Sequence, residues 1–273
     1  MTGDELVWRR PPAPLRPFVD LCSGYRMAAT PPGTHQGVPG AHLTFLLCLD
    51  GDVEVLQTPG AGRGPGRFDA MVAGLHDRPA VMAQGPAQTG IQLRLTWRGA
   101  RMLLGVPAAA LAGDVVDLRD VLGRGAVELR ERLATAPSWA HRFAVLDREL
   151  TRLAASSRAP EPAPEVARAW DVLAASGGTV RVEALARDVG WSRRHLATRF
   201  HDELGVSPKT AARVIRFERA CDMLRSGGRD PGRRPALADV AARCGYADQP
   251  HLARDFRELG GTTATRWLAE RPT

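Results

Sequence analysis

Several classes of protein are excluded by what this sequence lacks. No apolar run approaches the ~18 residues that a membrane-spanning helix needs, and the opening stretch MTGDELVWRRPPAP has no apolar core of a signal peptide. The expected location is therefore the cytoplasm, with no membrane partner. The four cysteines, Cys22, Cys48, Cys221 and Cys244, are scattered and form no C-x-x-C pair. This spacing argues against a disulfide framework and a cysteine zinc site, and leaves reduced, mostly buried thiols. His35, His42 and His76 lack the H-x-H pair, spaced glutamate and third histidine of a barrel metal site. No motif gives Cys22 or Cys48 a base or an oxyanion hole, and Cys48 lies in an apolar run that favours burial. No catalytic residue, metal or cofactor is expected. Lysine is almost missing too, Lys209 being the only one among 37 basic residues.

What is present is arginine. A net charge of +7 and a pI near 10.2 invite a nucleic-acid reading, although a chain crowded with Arg, Ala, Gly and Pro can owe that bias to its genome. Placement carries more weight than the total. Residues 165–273 hold 19 basic and 14 acidic side chains, an excess of 5, while the remainder holds 18 and 16, an excess of 2.

A length of 273 residues, at roughly 100 to 200 per domain, predicts two domains, and SSRAPEPAP marks where they part. Its three prolines block a continuous helix, so residues 156–164 read as an extended linker between 1–155 and 165–273. Before the linker the chain reads as strands. HLTFLLCLDGDVEVLQ holds an apolar run, an Asp50-Gly51 pair suited to a hairpin turn, and a second run in which Val53 and Val55 alternate with acids. In GIQLRLTW, Ile91, Leu93, Leu95 and Trp97 point one way. From Gly99 the period becomes helical, ending with Trp139, Phe143, Leu146, Leu150 and Leu153 three or four apart, a seam that fits a dimer interface or burial in its own domain. Strands followed by helices predict an α+β domain, a small β-barrel or sandwich with helices behind it. Trp8, Phe45 and Trp97 fit either its core or an effector pocket.

After the linker everything reads helical, and one unit occurs twice. Val182, Leu185, Ala186 and Val189 form an apolar face that stops at Gly190; Leu237, Val240, Ala241 and Cys244 repeat it and stop at Gly245. An aromatic follows each glycine, then a capping residue, Ser192 or Asp248, opens a helix with the pattern x-x-His-Leu-Ala-x-x-Phe. Helix, glycine turn and helix make a helix-turn-helix unit, predicted over about 182–204 and again over 236–260. With Leu196 and Phe200 turned inward, Arg194, Thr198 and His201 fall on the opposite face and Arg193 near the helix start. In the second copy Pro250, Arg254 and Arg257 fall there, with Gln249 near the start. Arginine can bridge a guanine edge and glutamine an adenine edge, while Ser192 at a helix N-terminus suits a phosphate. His195 and His251 sit beside core residues and read as packing groups. Between the copies Ser207, Pro208 and the seam Val214, Phe217, Cys221 and Leu224 predict a stiff connecting helix that ends at Gly227-Gly228.

At these residues the sequence resembles the AraC/XylS family of bacterial transcription regulators. LARDVGWSRRHLATRFHDELGVSPKT is similar to that family's first helix-turn-helix and its exit, RVIRFERACDMLR to the linker helix, and LADVAARCGYADQPHLARDFRELGG to the second unit. The resemblance covers Val180 to Leu268. It implies double-stranded promoter DNA as partner, an N-terminal domain that binds a small effector, dimerises, or both, and RNA polymerase as a further partner of an activator. PLRPFVDLCSGY and the strands near His42 to Leu56 broadly resemble such an N-terminal companion. The sequence also departs from the family. Thr198 stands where the first recognition helix often carries arginine, Pro250 where a polar residue stands, and Ala264 where proline is usual. Asp255 would repel phosphate if it faced the DNA. The loop GGRDPGRRP is longer than usual, and its Arg233 and Arg234 are candidates for phosphate contacts.

The expected function is a sequence-specific DNA-binding regulator controlled by a small molecule. Its competitors are a sequence-indifferent structural DNA binder, whose mark would be a denser basic surface than +5, and an enzyme domain fused to a DNA-binding module.

Overall fold

The computed structural model describes residues 4–60, 62, 64–227 and 235–269. The chain forms two units: Met1–His35, His42–Leu75 and Ala80–Pro160 make the first, and Gln36–Ala41, His76–Pro79 and Glu161–Thr273 the second.

The strands are β1 (Glu5–Arg9), β2 (Val19–Met27), β3 (Gly33–Gly37), β4 (Leu43–Asp50), β5 (Val53–Gln57), β6 (Gly66–Phe68), β7 (Ala70–Ala73), β8 (Ala80–Gln84), β9 (Gln88–Leu95) and β10 (Val115–Asp117). They form two sheets, one ordered β1-β2-β9-β4-β7-β10 and the other β3-β8-β5-β6. The first unit is thus built on two antiparallel sheets and not on a closed barrel.

Alternation along β4 and β9 explains the arrangement. Their register pairs Leu43 with Leu95, Phe45 with Leu93 and Leu47 with Ile91, and all six side chains are almost fully buried on one face. The other face offers Tyr25, Leu46, Cys48 and Met71, which close around Val55 with Val53, Phe68 and Met82 of the second sheet. Each such side chain contributes about 1.5–3 kcal/mol when taken from water, so both faces of the larger sheet hold the unit together. Helices cover the first face: α1 (Trp97–Leu104), α2 (Leu118–Leu122), α3 (Arg124–Thr135) and α4 (Trp139–Ser156). On α4, Phe143, Leu146 and Leu150 turn inward, and Asp147 pairs with Arg9 of β1 at 2.6 Å. Trp139 lies so close over Gly24 that a Cβ there would sit 2.5 Å from the indole, which is why β2 carries glycine. The α4 seam is therefore covered within its own unit.

Two expectations change. Gly51 does turn the chain, with φ 79°, yet β4 and β5 do not pair, because β9 and β7 already occupy both edges of β4 and β5 joins the second sheet. Trp97 does not extend the strand: Thr96 accepts a hydrogen bond from the Gly99 amide and caps α1, so Trp97 begins that helix and is buried. Phe45 and Trp97 are core residues, while Trp8 is about half exposed on edge strand β1. All four cysteines are buried and unbridged, and burial pushes the Cys22 and Cys48 thiols up to about 11.

The second unit contains α5 (Pro164–Ala175), α6 (Val182–Asp188), α7 (Arg193–Leu204), α8 (Pro208–Gly227), α9 (Leu237–Arg243), α10 (Gln249–Leu259) and α11 (Ala264–Ala269). Helix α8, about 30 Å long at 1.5 Å per residue, takes part in two cores. Near its start, Val214 is buried in the same half of the unit as Trp170, Leu185, Leu196 and Phe200, where the Trp170 and Phe200 rings stack at 6.2 Å. Further along, Phe217, Cys221 and Leu224 pack with Val240, Leu252, Phe256 and Trp267, and the Phe217 and Phe256 rings meet edge to face at 5.0 Å. Among the described residues, no helix is long and apolar enough to cross a membrane.

Candidate nucleic-acid interface

The repeat is reproduced down to single hydrogen bonds. After α6, Gly190 takes φ 72°, its amide donates to the Arg187 carbonyl, and the Trp191 amide donates to Ala186 at 2.9 Å. After α9, Gly245 takes φ 76°, its amide donates to Ala242, and the Tyr246 amide donates to Ala241 at 2.9 Å. This pair of bonds is the Schellman ending, and the left-handed residue it requires is why glycine stands at both places. Each recognition helix then starts from a side-chain cap, Ser192 Oγ accepting the His195 amide at 3.2 Å and Asp248 Oδ1 the His251 amide at 2.7 Å. The histidine rings stand edge-on to the turn aromatics, His195 at 4.6 Å from Trp191 and His251 at 5.1 Å from Tyr246. They fix the angle at which each helix leaves its turn.

Burial sorts the side chains of the two helices. On α7, Leu196, Phe200 and Leu204 are fully buried, while Arg194, Thr198 and His201 are exposed on the far side. On α10, Leu252, Phe256 and Leu259 are buried, and Gln249, Pro250, Arg254 and Arg257 are exposed. Pro250 lies in the first turn of α10, where no amide donor is needed.

Electrostatic partners separate these candidates further. Arg193 points back to the preceding helix and pairs with Glu183 at 2.9 Å. A backbone amide and the Arg193 guanidinium hold the Glu183 carboxylate below the usual range. Thr198 donates its hydroxyl to the Arg194 carbonyl at 3.1 Å, leaving its oxygen able to accept. Arg194, Arg254 and Arg257 form no ion pair among the described residues and extend from the exposed faces. Ser192 already uses its oxygen as a cap, so only its hydroxyl proton is left for a phosphate. Arg233 and Arg234 lie outside the described residues. Asp202 is exposed one turn beyond Thr198, so the positive character of α7 is concentrated toward its N-terminal half.

Asp255 does not face outward. It is 2% exposed, and its Oδ1 accepts from Arg213 of α8 at 2.8 Å. Arg213 also pairs with the exposed Glu258, so two acids of α10 are neutralised against α8, and Asp255 is withdrawn from the exposed face. Burial alone would lower the Arg213 guanidinium, and the two carboxylates outweigh it and raise it. Two features were not among the contacts that the sequence suggests. Exposed Arg199, on the flank of α7, is another cation with no ion pair among the described residues. The Arg213 tie joins positions 42 residues apart, which no local pattern displays.

Comparison with known proteins agrees with this geometry. A family model described as a helix-turn-helix domain matches residues 185–270. A curated relative, the uncharacterized HTH-type transcriptional regulator YbfI of Bacillus subtilis, is 27% identical over 126 residues. That match spans 46% of this chain and 43% of the relative, so less than half of the relative's length is covered. Among solved structures, ToxT from Vibrio cholerae O395 superposes with a TM-score of 0.53 at 11% identity, over 90% of this chain and 95% of ToxT. ToxT of Vibrio cholerae strain SCE256, solved with an unsaturated fatty acid bound, gives 0.52 at 10% identity over 98% and 97% of the two chains. At such identities the likeness shows a shared fold.

Proposed function

We propose that the chain is a regulator of the AraC/XylS type, as the helix-turn-helix match over residues 185–270 and the resemblance of the two repeated units support, and that it reads promoter DNA at two adjacent sites under the control of a small effector. The observation that carries this reading is the duplicated unit, whose two capped helices each turn unpaired arginine away from their own core. In this mechanism α7 and α10 enter successive major grooves about one helical turn apart. Arg254 reads a base edge with Gln249 beside it, and Arg257 and the helix N-termini hold phosphate. On the first helix Arg194 takes the base-reading role, with Thr198 and His201 alongside and Arg199 on the backbone. Arg193, engaged with Glu183, positions α7 and reaches phosphate only by leaving that pair. Phosphate contacts supply much of the affinity and the few base contacts supply the choice of site.

The first unit is the effector-binding and dimerising part in this proposal. A ToxT structure with an unsaturated fatty acid bound supports small-molecule control for this fold. The effector acts through its differential affinity for two conformations of the regulator. The chain works in the cytoplasm as a regulator without catalysis of its own, and meets RNA polymerase where it activates.

Selection from a random DNA pool with the full chain, followed by footprinting, tests the reading. Two short selected blocks about ten base pairs apart are the expected result. Salt-sensitive binding with no selected sequence would instead make the chain a sequence-indifferent DNA binder.

A further inference from the structure

A connecting helix alone fixes two reading heads only as well as each head is seated on it. In the second unit the turn that leads into the first head also touches the second head. The turn after α5 passes through Gly177 and Gly178, with φ 59° and 74°, and leads through Thr179 into the first helix-turn-helix. A Cβ placed on Gly245, in the turn of the second helix-turn-helix, would lie 2.5 Å from Thr179 Cγ2. The two turns are therefore in direct contact.

Arg216 of α8 fills the junction. Its Nη1 donates to the Gly178 carbonyl at 2.6 Å, and its guanidinium stands 5.8 Å from the centre of the Tyr246 ring. A Cβ on Gly178 would meet the Arg216 side chain at 3.2 Å and the Ala212 carbonyl at 2.2 Å, so the strand of chain entering the first head lies directly on α8. The Arg216 Nε is buried with no hydrogen-bond partner among the described residues. The guanidinium is thus held by one group of the turn that leads into the first head and by one group of the second head. A planar guanidinium can donate from one nitrogen to a carbonyl while its delocalised charge stands near an aromatic ring, a fixed geometry that the compact, strongly hydrated ammonium of lysine does not reproduce.

We propose that Arg216 is a positioning residue that sets the spacing between the two DNA half-sites, by locking the Gly178 turn of the first head to the Tyr246 turn of the second. The proposal rests on the two-site reading of DNA given above. One added base pair moves the second half-site by about 3.4 Å along the duplex and about a tenth of a turn around it. Heads locked at a junction cannot follow that movement, whereas heads joined by α8 alone can partly do so.

The test uses the full chain and the operator obtained by selection, together with versions carrying one base pair more or fewer between the blocks. Affinities are measured for wild type, Arg216→Ala and Arg216→Lys, with far-ultraviolet circular dichroism to verify folding. Wild type is expected to lose about tenfold or more with either altered spacer, a cost of the size of one mismatched base pair. Arg216→Ala is expected to shrink that penalty to about threefold or less while still preferring the same block sequences, and Arg216→Lys to fall between. Should the alanine variant fail to fold, the lysine variant decides by the same ratio. An unchanged spacer penalty in a folded variant overturns the proposal, as does a wild type indifferent to spacing. That second result leaves DNA reading intact, whereas a wild type that selects no sequence removes the premise itself.

Discussion

Replacing Asp255 with alanine tests whether α10 is seated as described. The carboxylate is 2% exposed and accepts from Arg213 at 2.8 Å through Nε. Removing one partner of a buried ion pair costs about 3–5 kcal/mol, because the other charge stays buried without compensation. Here Arg213 is 28% exposed and keeps Glu258, itself 52% exposed, so the effect falls to the lower bound or below it, about 2–3 kcal/mol. Two units that unfold separately would blur a thermal scan, so amide hydrogen exchange at α8 and α10 is the suitable assay. Exchange governed by opening of this core should accelerate about 30- to 150-fold at pH 7, while the amides of β4 and β9 stay unchanged. Pairing Asp255→Leu with Arg213→Met should restore most of the loss, since apolar replacement of both partners is often neutral. An acceleration below threefold for the alanine variant would refute the claim that this pair holds α10 to α8. The Tyr246 phenol adds a second sign of the same charge, since burial, reinforced by the Asp255 carboxylate, pushes it far above the ordinary tyrosine range.

Three further outcomes can be checked. Arg254→Ala should cost about 1–3 kcal/mol on the selected operator and little on random DNA in a salt-matched titration; an equal loss on both would assign the residue to phosphate. Gly74→Ala should destabilise the first unit by about 3 kcal/mol in urea unfolding, because the added Cβ would lie 1.8 Å from the Leu111 carbonyl oxygen and the atoms it meets belong to main chain, which cannot swing aside as a side chain can. On α4, the Arg152 guanidinium, aided by Arg132, holds the Glu149 carboxylate below the usual range, so its stabilisation is fully present above the unfolded glutamate value and fades as pH falls through the lower folded one. Glu149→Gln should therefore lose about 0.5–1 kcal/mol at pH 7 and progressively less as pH falls below the ordinary glutamate range, and a pH-independent difference would contradict that linkage.

The helical half was legible because its signals are local. A glycine after an apolar face, an aromatic, then a serine or aspartate cap specify a turn within about ten residues, and each of those groups makes its hydrogen bond within five residues of itself. The strand half was harder to read for the opposite reason. Asp50-Gly51 marks a turn, but whether the strands on either side pair depends on β7 and β9, which follow β5 in sequence and claim both edges of β4. Trp97 shows the same limit at one residue: period two continued through it, and the Thr96 cap ended the strand.

Asp255 shows where pattern reading stops and three-dimensional partners take over. Leu252, Phe256 and Leu259 define the buried stripe of α10, and Asp255, three after the first and four before the last, falls on that stripe by spacing alone. Periodicity thus places the carboxylate inward and removes it from the DNA face. What periodicity cannot supply is the cation that makes an inward carboxylate tolerable, because Arg213 lies on another helix 42 residues earlier. The same holds for the exposed arginines. Spacing assigns Arg193 and Arg194 to one helix start, and only the position of Glu183 on the preceding helix separates the one that is engaged from the one that is not. A reading face is therefore defined less by which residues point outward than by which outward charges have no partner in their own fold.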